Sequence, residues 1–314
     1  MLMIILSHTE APRIYSRFYT PVFLNGYFWI SGFMTKSGRC FKQFATSKIK
    51  GLLIPFLTLG IINSLIATIV EGDAISDRLL FLISRRGLWD DLWFIACLFS
   101  MQCLFWVIES ICLFIDKNRT QKYWSMLFGC SISISIVAQY YVNTINVPLP
   151  FQFESACISL LFMTFGFLWG FIENKILISN IKYCLFSFLL YFFLVYLFDN
   201  KVSVHNAQYG SFLIYSLSAL TGIFALMTLC KKVEEKHHLV FITRMVVFIG
   251  QNTLVYYAFQ SKVIKIIKII AIYLAMPQNT YIFPFVVTIV TAIVLAIPAF
   301  IMSQFLPAFV GKKG

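Results

Sequence analysis

GLLIPFLTLGIINSLIATIV, residues 51–70, runs its whole length without one ionisable side chain. As an α-helix at about 1.5 Å per residue it spans about 30 Å, the thickness of a bilayer's hydrocarbon core. The same pattern recurs at Phe18–Met34, Leu92–Ile115, Trp124–Val142, Phe153–Ile172, Ile181–Phe198, Ser211–Cys230, Val240–Gln260 and Tyr281–Phe309. Together these predict about nine full spans by the length criterion. Composition points the same way. Of 314 residues 60% are hydrophobic and 12% charged, against roughly 45–50% and 25% in soluble domains. A soluble core of this size cannot hide so much apolar surface, whereas a bilayer can. The expected fold class is an all-α polytopic membrane protein.

Met1–Ser7 is apolar but rises only about 10 Å as a helix. It reads as the outer end of a truncated first helix whose beginning is missing, and it lacks the charged start and cleavage site of a signal peptide. No long linker, low-complexity tract, soluble domain or internal repeat is visible. Residues 1–314 read as one integral-membrane domain.

The formal net charge is +12, yet the basic residues fall between apolar runs rather than in one domain. The positive-inside rule accounts for that distribution, and no nucleic-acid partner is expected. Placing the 35–50 connection in the cytoplasm puts most Lys and Arg inside, the C-terminus inside and His8 outside. Lys262, Lys265 and Lys268, in SKVIKIIKIIAIYLA at 261–275, fall outside on this map. Their spacing sets them on one face of an amphipathic helix, expected to lie at the interface with its lysines snorkelling. The expected location is the inner (plasma) membrane, multi-pass. The eight cysteines form no CxxC pair, so they read as scattered membrane thiols, and no metal site is expected. GxSxG, HExxH, Walker and GxGxxG patterns are missing, which removes the soluble hydrolase, zinc and nucleotide-motor readings.

Ionisable groups at membrane depth are costly and therefore mark function by default. His8 closes the run MLMIILSH, and a neutral imidazole there can take a proton from a hydroxyl near pH 7. The bland alternative is an interfacial His that hydrogen-bonds its neighbours. Glu10, Arg13 and Arg17 follow it. RRGLWDD contributes Arg85, Arg86, Asp90 and Asp91, and Glu154 opens another span on the same side. A carboxylate would orient the imidazole, and arginines would hold an anionic saccharide or an oxyanion; a solvated mixed-charge loop explains the same residues. On the inner side, TKSGRCFKQFATSKIKGLLIP carries Lys42, Lys48 and Lys50 among five basic residues. They suit the phosphates of a cytosolic acyl donor, or positive-inside alone. Asn25, Asn63, Gln102, Glu109 and Gln139, inside spans, read as helix-to-helix hydrogen bonds.

Several of these stretches resemble the integral-membrane acyltransferase 3 family, which includes O-acetyltransferases of bacterial surface polysaccharides. MLMIILSH resembles the end of the family's first helix, which closes on its functional His, here His8. YFWISGFM at 27–34 is similar to an aromatic run ending in Ser-Gly, here Ser31 and Gly32. FATSKIKGLLIP at 44–55 resembles the basic segment that leads into a Leu-rich span. LWFIACLF at 92–99 looks like the Trp-Phe start of another span, and IGQNTLVYYAFQ at 249–260 resembles a late run with Asn-Thr-Leu and Tyr. The helix count fits the family's usual ten.

The resemblance implies acetyl transfer from cytosolic acetyl-CoA, a substrate rather than a bound cofactor, to a sugar hydroxyl at the outer face. The acceptor is a carbohydrate or lipid-linked saccharide of an exported polysaccharide. His8 is implied as general base or acyl relay, and Lys42, Lys48 and Lys50 as the donor seat. Two departures stand out. The family's basic residue, eleven positions before its His, would precede Met1, and Gln260 stands where relatives often carry His. Two rival readings remain: a saccharide transporter or flippase, and an inactive relative retained in polysaccharide assembly.

Overall fold

The computed structural model describes residues 1–71, 92–145, 147–172, 181–198, 202–205, 208–235, 240–278 and 280–312. Among these residues regular structure is helical, apart from one isolated bridge between Ser203 and Gln208. The helices are α1 (Leu2–Ser7), α2 (Arg13–Phe33), α3 (Phe41–Lys48), α4 (Ile54–Glu71), α5 (Trp93–Ile115) and α6 (Gln121–Thr144). They continue with α7 (Phe153–Ile172), α8 (Ile181–Leu197), α9 (Phe212–Glu234), α10 (Val240–Gln251), α11 (Thr253–Tyr273) and α12 (Phe283–Phe305). Among the described residues six stretches are long and apolar enough to cross a membrane: Phe41–Ile69, Trp93–Ile115, Gln121–Thr144, Pro150–Ile172, Phe212–Glu234 and Phe283–Phe305. Ile181–Leu197 and Val240–Gln251 are shorter apolar helices.

Two expectations are corrected. Val240–Gln260 is not one span, because the helix breaks at Asn252, whose backbone (φ −113°, ψ 19°) leaves the helical region. Its amide nitrogen donates to Phe248 O at 2.8 Å, and its carbonyl oxygen accepts from Lys312 Nζ at 2.8 Å. That side chain offers the backbone an alternative to the helix, as asparagine commonly does. Nor does the lysine-rich stretch begin a helix of its own, since residues 261–273 continue without interruption from Thr253 as α11.

The described chain divides into two compact units. The first comprises Met1–Ser16, Ala45–Ala96 and Val240–Gly314. Within it α11 and α12 form a hairpin, α1 packs on both, and α4 packs on α11 and on the short 3₁₀ turn Pro307–Val310.

The second unit comprises Arg17–Phe44 and Cys97–Leu239. Here α6 packs on α7 and α8 on α9. Val22, Trp29, Tyr191, Val195 and Ile223 make a core cluster, flanked by Phe18, Phe165 and Trp169. Glycines let α2 cross α7 at backbone distance. A Cβ on Gly32 would fall 2.8 Å from Phe167 N, and one on Gly166 would fall 3.0 Å from Trp29 Cα.

At the start of α6, Thr120 caps the helix by accepting from Lys122 N at 3.3 Å. Asp116 accepts from the Thr120 hydroxyl, from Thr120 N at 2.9 Å and from Tyr123 N at 3.2 Å. The Thr120 hydroxyl, ahead of the backbone donors, holds the Asp116 carboxyl below its ordinary value. Its stabilisation is therefore present above the unfolded carboxylate value and is lost as pH falls through the lowered one. Thr120→Ala is expected to cost about 1 kcal/mol, read as a lower chemical-denaturation midpoint in detergent near neutral pH.

Candidate active site

His8 sits where α1 stops. Its N–H donates to Ile5 O at 3.0 Å, and the next N–H, of Thr9, donates to Leu6 O at 3.2 Å. The Thr9 hydroxyl also bonds Leu6 O at 2.8 Å, so the last turn of this short helix is closed from two directions. Glu10 then takes a left-handed conformation (φ 59°), which turns the chain away. The imidazole is left half-buried at the corner. Two residues on, the Glu10 carboxylate pairs with Lys268 Nζ at 3.0 Å. Glu10 is 87% exposed, so this pair adds little stability; it fixes the corner against α11. Tyr15 completes the attachment, donating to Tyr281 O at 3.5 Å and packing edge-on to Phe285.

The opposite end of the same unit is basic. Between α3 and α4 the chain widens into a π-helical turn, Ile49–Leu53, with the Ile54 N–H reaching back to Ile49 O. The local cause is Pro55, which has no N–H to give to the carbonyl four residues before it, that of Gly51. Gly311, at φ 74°, lies against that same Gly51 carbonyl; a Cβ there would come within 2.9 Å of it. Lys48 caps the π turn and Lys50 lies inside it, the second exposed. Lys312, next to Gly311, reaches Asn252 at the start of α11. The sequence marks these lysines but not the π turn, a feature common at functional sites.

α11 joins the two ends. From Asn252 to Lys268 its rise is about 24 Å. Along it, Asn63 of α4 donates to Ala258 O at 2.9 Å and accepts from Lys262 Nζ at 3.0 Å. The Tyr257 hydroxyl accepts from Phe94 N at 3.3 Å at the start of α5. The stretches 1–8, 45–55, 92–96 and 249–260, far apart in the chain, thus gather in one unit.

Other residues singled out from the sequence lie elsewhere. Arg13 is exposed at the start of α2. Arg17, in the second unit, donates to Val195 O at 3.4 Å and Tyr196 O at 3.2 Å, carbonyls at the end of α8. Basic side chains commonly serve the last carbonyls of a helix in this way. Glu154 is buried in the first turn of α7 and accepts from Leu149 N at 3.2 Å. Lys42 is exposed on α3. Arg85, Arg86, Asp90 and Asp91 lie outside the described residues.

Four of the polar residues inside spans bond between elements. Beside Asn63, Asn25 donates to the Tyr215 hydroxyl at 2.5 Å and Gln102 to the Ser31 hydroxyl at 2.5 Å. Gln139 instead bonds Asn143 on its own helix at 3.0 Å. Glu109 gathers the most partners. It accepts from the Ser37 hydroxyl, from Gly38 N at 3.3 Å and from the Tyr123 hydroxyl at 3.4 Å. Arg119 donates to the same Ser37 at 2.7 Å. A carboxylate inside an apolar run was the signal for it, but only packing shows that it fastens the 35–40 turn. Among the described residues no group of three His, Cys, Asp or Glu is arranged to hold a metal.

No curated protein and no solved structure matches the chain. A family model for the acyltransferase domain of the acyltransferase 3 type matches residues 1–301. That match covers nearly the whole sequence and includes His8, the lysines of the π turn and all of α11; the chain belongs to the acyltransferase 3 family and is a membrane acyltransferase.

Proposed function

We propose that this enzyme transfers an acetyl group from cytosolic acetyl-CoA to a sugar hydroxyl of an exported polysaccharide or its lipid-linked precursor. The observation that carries this reading is the layout of the first unit. One end bears the half-buried His8 beside the Glu10–Lys268 pair, and the other bears Lys48, Lys50 and Lys312, with α11 running between them. A donor whose phosphates are held at the basic end has its thioester directed along the unit towards the imidazole. No cofactor is bound in this scheme; acetyl-CoA is consumed as substrate.

In the reaction, His8 takes the proton from the acceptor hydroxyl as its oxygen attacks the thioester carbonyl. The C–O bond forms, the C–S bond breaks, and the thiolate recovers the proton from the imidazolium. Enclosure in a membrane unit keeps out water, which competes for the acetyl group. Lys48 and Lys50 bind the donor. Arg13, Arg85, Arg86, Asp90 and Asp91 are assigned to the acceptor or to support of the imidazole. The chain works as one membrane domain in the inner membrane, with about nine passages and the C-terminus in the cytoplasm.

The test uses sealed inside-out membrane vesicles from cells making the enzyme. Acetyl-labelled acetyl-CoA added outside them is expected to label the enclosed glycan in a base-labile form. Label that stays at background while a control acetyltransferase works in the same vesicles ends the proposal.

A further inference from the structure

α10 carries little packing. Of its twelve residues, VFITRMVVFIGQ at Val240–Gln251, only Ile249 is buried, and Phe241 is 74% exposed. At about 100° per residue the side chains divide into two sides. Phe241, Met245 and Phe248 form one row, and Ile242, Val246 and Ile249 form the row beside it, each at spacings of four and then three. Thr243, Arg244, Gly250 and Gln251 take the opposite side, where Val240 and Val247 are the only apolar residues. The helix is thus amphipathic. Its apolar arc is bare over Phe241, Ile242, Met245 and Val246, all of them exposed.

Length and connection say what lies against that arc. α10 rises about 18 Å, well short of a hydrocarbon core of about 30 Å. Beyond the break at Asn252, α11 rises about 31 Å, which supplies a full passage without α10. α10 is therefore left at the membrane face where α11 begins, the face that also carries Lys312. Ile249, central to the apolar arc and close to the break, is buried by the protein. Towards Val240 the same side of the helix has no such cover, and at the edge of a membrane unit the medium that continues is lipid. The bare positions span about 140° of a single helix, a surface to which fluid acyl chains conform and which offers a protein partner no groove. Arg244 is exposed and lies three and four residues from Phe241 and Phe248. From there it reaches lipid phosphates by snorkelling, its stem along the apolar side. A short helix with such an arc and a polar opposite side is the kind that lies in the interfacial plane.

We infer that α10 is a membrane-surface helix that docks in the interfacial layer of the bilayer, with Phe241, Ile242, Met245 and Val246 against lipid acyl chains and Arg244 at the phosphates. In the proposed orientation this is the cytoplasmic leaflet. The docking holds the Asn252 break, and Lys312 bonded to it, at headgroup depth. It is independent of which acyl donor the enzyme uses.

The experiment places the photoreactive residue p-benzoylphenylalanine at one α10 position at a time in the full chain. The protein is reconstituted in vesicles of phosphatidylethanolamine and phosphatidylglycerol with radiolabelled acyl chains. At Phe241, Met245 and Val246, irradiation is expected to attach lipid to the protein; at Thr243, on the polar side, attachment is expected to be about fivefold weaker or less. All three apolar positions are exposed, so the result does not hang on the folding of any one variant. Cross-linked dimers of the chain at those positions in place of lipid adducts would mean that α10 meets a second copy, and would overturn the inference. Equal lipid attachment at Thr243 and Phe241 would place α10 inside the hydrocarbon rather than on its surface. No lipid attachment at Phe241, Met245 or Val246 would mean that protein covers the arc. Either of these results overturns the inference as well.

Discussion

His8→Ala is expected to lower O-acetylation of the host glycan by about 10²–10⁴-fold, the contribution of a positioned acid–base group, with protein level and membrane insertion unchanged. Preservation of the fold follows from how the corner is built. His8 contributes its backbone N–H to Ile5 O, and Thr9 closes the turn through Leu6 O, bonds that alanine at position 8 leaves intact. The left-handed turn belongs to Glu10 and is likewise untouched. What alanine removes is the imidazole, which in the proposed reaction takes the acceptor's proton and returns it. The measurement is acetyl content of purified glycan, normalised to enzyme detected in the membrane. Wild-type acetylation in that variant would remove His8 from the mechanism.

The largest expected loss of stability comes from two glycines. A methyl group on Gly32 would land on the Met163 carbonyl, 2.8 Å from its carbon and from Phe167 N; one on Gly166 would land on the Trp29 carbonyl. The obstructing atoms are backbone, so relief requires α2 and α7 to move apart and open the Trp29–Trp169 contact. Overpacking with side-chain relief costs typically 1–3 kcal/mol, and this crossing allows no such relief. Gly32→Ala and Gly166→Ala are each expected to exceed about 3 kcal/mol and to empty the membrane of monodisperse protein. Gly26→Ala, on the same helix with nothing within 4 Å of its Cβ position, is the control expected to accumulate normally. Equal yields of Gly26→Ala and Gly32→Ala in fluorescence-detected size exclusion would contradict the crossing.

The Gly32 result also shows what a motif conveys. Ser31-Gly32 is visible as a pattern, but its requirement for glycine comes from α7, more than a hundred residues later. The same holds for Glu10 and Lys268. Three lysines at spacings of three read as an interfacial helix, because nothing nearby in sequence offers them a carboxylate; the carboxylate stands two residues after His8.

The sequence by itself determined that this is a multi-pass helical membrane protein, that His8 ends an apolar run and that a basic segment precedes a span. Each depends on transfer from water to hydrocarbon, which sums over adjacent residues and is legible in any window long enough to cross a bilayer. Only the tertiary structure decided that Asn252 breaks a helix and that Lys50 lies in a π turn. Those outcomes turn on hydrogen bonds and close contacts between segments distant in the chain, such as Lys312 with Asn252 or Gly311 with Gly51. Such pairings exist only once the helices have packed.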